Sequence, residues 1–170
     1  MSEKTKEYFV DMVYTHIPII YKICEMYAEP SEKEDLQQEI IFQLWKSFPS
    51  FKGNAKFQTW MYRVALNTAL LGLRAKKIKY TEISQNEINL AYESPGEDDR
   101  NVKIRQLYHY ISKLNDLDKA IIFLYLEQCT YEEISEITGM NTKNISVRLV
   151  RIREKLRNMI NTEDVLQKTS

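Results

Sequence analysis

Apolar residues recur along most of this chain at three- and four-residue intervals, the spacing of one face of an α-helix. From Tyr8 to Tyr27 the residues Phe9, Met12, Val13, Ile20 and Ile23 fall on related faces, and Pro18 is expected to kink or divide the run. After Pro30, Ser31 and Glu34 have the spacing of a capping box, in which each side chain accepts from the other residue's free backbone N–H; this opens a helix through Asp35–Trp45. Pro49 and Gly53 make Ser47–Asn54 a loop, and a third helix is predicted from Phe57 to Lys77. Ile78 to Asp99 has no clear period, is acidic and holds Ser94-Pro95-Gly96, so it reads as a linker. Helical spacing resumes over Val102–Leu114, Leu117–Glu127, Tyr131–Thr138 and Thr142–Ile160, and the last ten residues read as a frayed tail. The expected fold is all-α: two small helical domains, residues 1–79 and 100–160, joined by a flexible acidic linker (80–99) and followed by a tail (161–170).

The stretch from Thr130 to Leu156 is the most specific local signal. Thr130 and Glu133 form a second capping box, Gly139 stands where the helix they open must close, and Asn141 or Thr142 can cap the next. That next helix carries Lys143, Arg148, Arg151, Arg153, Lys155 and Arg157. A short helix, a glycine turn and a basic helix make a helix-turn-helix, the arrangement that seats a helix in the DNA major groove. At 100° per residue, Ile145, Leu149, Ile152 and Leu156 form one stripe for burial. Lys143, Asn144, Val147 and Arg151 point away from it, flanked by Arg148, Val150 and Lys155. Two outward valines suit thymine methyl groups, while cations reach base edges and phosphates. A basic, solvent-facing terminal helix is the plainer reading of the same residues.

The formal net charge of the 170 residues is zero, but the charges are segregated. Residues 1–39 hold nine acidic and four basic side chains, residues 40–79 eight basic and no acidic, residues 80–99 six acidic and no basic, and residues 100–160 eleven basic against seven acidic. Phosphates sense such local fields rather than the total. A chain of this length can bury a real core in one or two small domains. Cys24 and Cys129 match no metal-ligand spacing and suit a reducing compartment, and His16 and His109 are equally isolated. No catalytic residue set, metal site or cofactor site is expected. The N-terminus has no signal-peptide pattern and no apolar run approaches membrane-spanning length, so the expected location is cytoplasmic, without direct membrane insertion.

A second chemical signal runs from Phe51 to Arg63, where Phe51, Phe57, Trp60 and Tyr62 interleave with Lys52, Asn54, Lys56 and Arg63. Rings can stack on unpaired bases while cations track a single strand's backbone. Phe51, Phe57 and Trp60 equally suit a hydrophobic core, and composition alone favours that reading.

The order of these motifs carries a resemblance. Asp35-Leu36-x-Gln38-Glu39-Ile40, Leu44-Trp45, Phe51-x-Gly53 and Phe57-x-Thr59-Trp60-x-Tyr62-Arg63-x-Ala65-x-Asn67 closely resemble conserved region 2 of the extracytoplasmic-function (ECF) sigma factors, bacterial transcription initiation factors of the sigma-70 family. Thr130-Tyr131-Glu132-Glu133-Ile134-Ser135-Glu136-Ile137-x-Gly139, with Ile145-x-x-Arg148-Leu149-x-x-Ile152-Arg153-Glu154-Lys155-Leu156, resembles region 4. The resemblance implies that Asp35, Gln38, Glu39 and Gln43 meet the clamp of core RNA polymerase. It implies that the Phe51–Phe57 loop and Asn67 hold a base flipped from the −10 promoter element. Lys52, Asn54, Lys56, Phe57, Trp60, Arg63 and Arg74 then belong to that −10 surface, and Lys76 and Lys77 to its phosphate contacts. Region 4 is implied to read the −35 element through Lys143, Asn144, Val147, Arg148, Val150, Arg151 and Lys155, and to lie on the polymerase flap. An anti-sigma factor is a further implied partner, and the linker is implied to follow the RNA-exit channel. Lys143 stands where many relatives have glycine, Ser146-Val147 replaces a basic-Ser pair, and Asn54-Ala55-Lys56 lies in a variable stretch, so promoter sequence does not follow by analogy.

Two other classes fit parts of the pattern. A stand-alone helix-turn-helix regulator explains Thr130–Leu156 but leaves Asp35–Asn67 unused. A helical protein–protein adaptor would treat every charge block as a solvated face.

Overall fold

Pro18 divides the first helical run outright. In the computed structural model, which describes residues 3–80 and 99–168, α1 (Glu3–Thr15) stops one residue before α2 (Ile17–Tyr27). Proline has no N–H and its ring clashes with the carbonyl four residues back, so it is accepted only in the first turn of a new helix, where Pro18 lies. The free end of α1 is closed locally: Thr15 Oγ1 donates to the Asp11 carbonyl, and His16 Nδ1 lies 2.8 Å from the Met12 carbonyl oxygen.

The next helix starts by a different device from the one expected. Pro30–Glu32 forms a 3-10 turn preceded by an extended Glu29, and α3 (Lys33–Ser47) follows directly. Ser31 is therefore inside a helical turn and cannot act as a cap, and no side-chain cap opens α3. The proline stiffens the start that the Ser31–Glu34 box was expected to supply. A second 3-10 turn, Phe48–Ser50, ends α3. The chain then crosses Gly53, at φ +72°, and enters α4 (Phe57–Tyr80). Helices α2, α3 and α4 pack together over a core that includes Ile20, Ile23, Ile40, Leu44, Met61 and Ala65, all fully buried.

The second unit is built from α5 (Asp99–Ser112), α6 (Asp116–Leu126), α7 (Tyr131–Thr138) and α8 (Thr142–Lys168). Asn115 caps α6 by accepting from the Asp118 N–H at 2.9 Å. Buried Ile111, Ile121, Phe123, Leu124, Ile134, Ile145 and Leu149 join the four helices. α8 passes the expected end at Ile160 and stays helical through Lys168, so the presumed tail is helix for most of its length. No glycine or proline follows Gly139, and nothing in Asn161–Lys168 breaks a helix already nucleated. The described residues contain no strand, in keeping with the all-α, two-unit reading. The acidic linker expected at 80–99 lies, apart from its end residues, outside the described residues.

Candidate nucleic-acid interface

In the first unit, an aromatic cluster determines what the Phe51–Arg63 run can do. Phe48 and Phe51 stack at 6.3 Å between ring centres, and Trp60 lies 5.1 Å from Phe51 and 5.3 Å from Phe57. Phe57 meets Phe51 edge-on at 5.6 Å. Phe57 is buried and Trp60 is only 4% exposed. The two −10 candidates that were aromatic are therefore core residues, and neither presents a ring face for stacking. Phe57, Trp60 and Met61 have i, i+3, i+4 spacing at the start of α4, which turns all three toward the 3-10 turn and α3.

The cluster anchors the loop above it. Lys52, Gly53, Asn54 and Lys56 are exposed, and the Trp60 N–H closes the first turn of α4 on the Lys56 carbonyl at 3.1 Å. Beyond that turn α4 emerges from cover. Arg63, Asn67 and Arg74 are all exposed and fall within about 40° of one another on the helical wheel. Leu71, 63% exposed, continues the same face and was not anticipated. Lys76 pairs with Glu32 of the 3-10 turn before α3, both side chains staying solvent-accessible; the Lys77 side chain lies outside the described residues.

On α3, Asp35, Gln38 and Glu39 are exposed, and half-buried Gln43 donates to Glu39 Oε1 at 2.8 Å. Phe42 lies on the same side and is 55% exposed. A large apolar side chain among polar ones is the usual core of a docking surface. Helical spacing from Asp35, Gln38 and Glu39 already puts Phe42 on that face; it was passed over because Ile40-Ile41-Phe42 reads as a short core run.

The helix-turn-helix follows the sequence closely. The Thr130 N–H donates to Glu133 Oε2 at 2.9 Å and the Glu133 N–H to Thr130 Oγ1 at 3.2 Å, completing the capping box. Gly139 closes α7 at φ +75°, and Asn141 caps α8 by accepting from the Asn144 N–H at 2.8 Å. The turn before α7 uses an unexpected residue. Gln128 takes φ +62°, with its N–H on the Tyr125 carbonyl and the Cys129 N–H on Leu124, a Schellman closure made without glycine.

Along α8, Ile145, Leu149, Ile152 and Leu156 are buried as the wheel requires. Lys143, Asn144, Val147, Val150, Arg151 and Lys155 are exposed. Arg148 is not among them: its guanidinium is engaged by Asp118 at the start of α6. Arg153 lies over the Tyr125 ring at 4.7 Å on the opposite flank. Arg153 and Arg157 there border an apolar groove of about 370 Å³, lined also by Leu107, Ile122, Leu126 and Leu156. Burial lifts the Cys24 thiol to about 11, helped by Glu25 and opposed by Lys33, so it stays protonated and inert at neutral pH. Among the described residues no group of three or more His, Cys, Asp or Glu side chains is placed to hold a metal ion.

These two surfaces coincide with two known domain families. Residues 12–78 match the profile of sigma-70 region 2 and residues 104–156 that of sigma-70 region 4. The chain is 30% identical over 165 residues to the ECF RNA polymerase sigma factor SigW of Bacillus subtilis, covering 89% of this chain and 88% of that one. It is also 30% identical to the ECF RNA polymerase sigma-E factor of Haemophilus influenzae, across 79% of this chain and 77% of that one. The fold matches that of the sigma factor RpoE of Bartonella quintana, solved in complex with the anti-sigma factor NepR. The TM-score is 0.75 at 16% identity, over 90% of this chain and 96% of that one. The chain belongs to the extracytoplasmic-function sigma factors of the sigma-70 family.

Among the described residues, no helix is long and apolar enough to cross a membrane.

Proposed function

We propose that this sigma factor divides promoter recognition between two exposed faces and holds core RNA polymerase through two others. The outward side of α8 takes the −35 duplex: Val147 and Val150 meet thymine methyls, Arg151 and Asn144 reach base edges, and Lys143 and Lys155 neutralise phosphates. The exposed loop Lys52–Lys56 and the α4 face of Arg63, Asn67 and Arg74 take the opened −10 strand. Here the buried aromatic cluster acts as the floor of the site, so discrimination falls to Asn54, Asn67 and the loop backbone. Asp35, Gln38, Glu39 and Phe42 on α3 form the clamp contact, and the apolar groove between α5, α6 and α8 receives the flap. The factor acts stoichiometrically in the cytoplasm and catalyses no reaction of its own. Its control by an anti-sigma factor is supported by the Bartonella quintana structure, whose sigma factor is held by one.

The observation that carries the −35 assignment is the contrast within α8 between four buried aliphatics and an opposite face of valines among cations and amides. Gel filtration or fluorescence anisotropy with core RNA polymerase from the same host tests the whole reading. Tight one-to-one association is the expected result, and absence of binding by the folded chain overturns it. Arg151→Ala should weaken promoter duplex selectively, by about 1–3 kcal/mol for a base-edge contact. Equal loss on scrambled duplex would reduce Arg151 to a phosphate contact. Asn67→Ala should leave polymerase binding intact and slow promoter opening.

A further inference from the structure

Arg148 differs from the other cations of α8 in having a structural partner. Its Nε donates to Asp118 Oδ1, and the two side chains are 35% and 13% exposed. The other oxygen of the same carboxylate accepts from Asn115 Nδ2 at 2.6 Å, while Asn115 Oδ1 caps the Asp118 N–H. One carboxylate thus ties the first turn of α6 to the second turn of α8, across thirty residues of sequence. On the wheel Arg148 sits about 60° from Ile145, at the edge of the buried stripe. The stripe itself is aliphatic, and apolar burial is non-directional, so it sets the rotation of α8 about its own axis only coarsely. A charge-assisted hydrogen bond at the stripe's edge has the direction that burial lacks.

We propose that Arg148 is a positioning residue for DNA recognition: tied to Asp118, it sets the roll of α8 and so aims Val147, Val150 and Arg151 at the bases without touching DNA itself. This rests on the reading of α8 as the major-groove helix. Asp118, far from that groove face in sequence and half-buried, becomes a determinant of promoter selectivity. A roll of a few degrees swings the outward side chains by a fraction of an ångström to an ångström, enough to misalign bidentate base contacts.

The test uses full-length wild type, Asp118→Asn, Arg148→Gln and the double variant. Each is titrated by fluorescence anisotropy onto a duplex that wild type selects from a randomised pool and onto its scrambled counterpart, over a salt series. Each single change should lower the ratio of selected to scrambled affinity about fivefold, the scale of one charge-assisted hydrogen bond, and the double should be no worse than either. The slope of log affinity against log salt should stay at the wild-type value, because no phosphate contact is lost. Tighter binding of both duplexes by Asp118→Asn would overturn the proposal, since it would mean that Asp118 merely restrains a phosphate-seeking arginine. A slope reduced by about 0.9 in Arg148→Gln would overturn it too. So would lower melting temperatures with an unchanged ratio. Should Arg148→Gln not fold, the near-isosteric Asp118→Asn decides alone through the sign of its effect. Wild type that selects no duplex sinks the major-groove reading itself; selective wild type with an unaltered Asp118→Asn ratio sinks only the positioning role.

Discussion

Trp60→Ala separates the two uses of an aromatic side chain that the sequence left open. Trp60 is 4% exposed and packed among Phe48, Phe51 and Phe57 at ring-centre distances of 6.1, 5.1 and 5.3 Å. A buried indole removes about 150–250 Å² from water. At about 25 cal/mol per Å² this corresponds to about 4–6 kcal/mol, an upper bound because the unfolded chain already hides some of that surface. Aromatic-to-alanine truncations in cores cost about 3–5 kcal/mol, and about 4 kcal/mol is the expectation here. Set against the roughly 5–15 kcal/mol that holds a typical domain, this leaves the first unit barely folded. With a urea slope of about 1 kcal/mol per M for a unit of this size, the midpoint should fall by several molar. Far-UV circular dichroism follows the whole chain. The remaining tryptophan, Trp45, stands edge-on to Phe9 at 5.1 Å and reports the first unit by fluorescence. Trp60→Phe, which keeps a ring in the cluster, should lose less than half as much. A Trp60→Ala protein that unfolds at the wild-type midpoint but no longer binds single-stranded −10 DNA would refute the packing argument and return Trp60 to the nucleic-acid surface.

Three further outcomes follow from features already described. Thr130→Ala removes the acceptor for the Glu133 N–H and should destabilise the second unit by about 1 kcal/mol. Because both tryptophans lie in the first unit, the loss should be read by amide exchange in α7 rather than by fluorescence. Gln128→Gly should stabilise by about 1 kcal/mol in thermal melts, since Gln128 occupies a left-handed conformation that glycine adopts without a Cβ clash. Cys24 holds its proton longer when folded than unfolded, with the thiol raised from 9.0 to about 11. Its contribution is therefore complete below pH 9 and lost as pH rises through about 11. Cys24→Ala should show a shallower alkaline fall in melting temperature than wild type, and in wild type at pH 8 iodoacetamide should label Cys129 well before Cys24.

The elements easiest to read from sequence were those whose cause is local. Thr130, Glu133, Gly139 and Asn141 all form bonds to residues within four positions, so a short window contains the whole device. The α8 stripe was equally legible, because one face of a helix is set by periodicity alone. Ser31 failed for a related reason: Pro30 favoured a 3-10 turn one step earlier, and a pattern match on Ser31 and Glu34 does not weigh that competitor. Long-range commitments were not visible. Arg148 looks like any other cation on the α8 wheel until Asp118, thirty residues away, is placed beside it. Phe57 and Trp60 could be assigned only once Phe48 and Phe51 were seen to cover them. Gln128 carries no sign of its turn, since glutamine is an uncommon left-handed residue. The mutual order of the motifs supplied the family where individual residues did not.

The division of α8 into separately committed sides has an evolutionary consequence. Ile145, Leu149, Ile152 and Leu156 are held by the core, Arg148 by Asp118, and Arg153 by Tyr125. Lys143, Asn144, Val147, Val150, Arg151 and Lys155 carry none of these commitments and are exposed. On the proposed reading of α8 as the −35 helix, new upstream specificities would arise by exchanging those six side chains on an unchanged frame. Under that proposal, a lineage of paralogous factors, or a randomised library confined to those positions, would diversify its target DNA without renegotiating the stability of the fold.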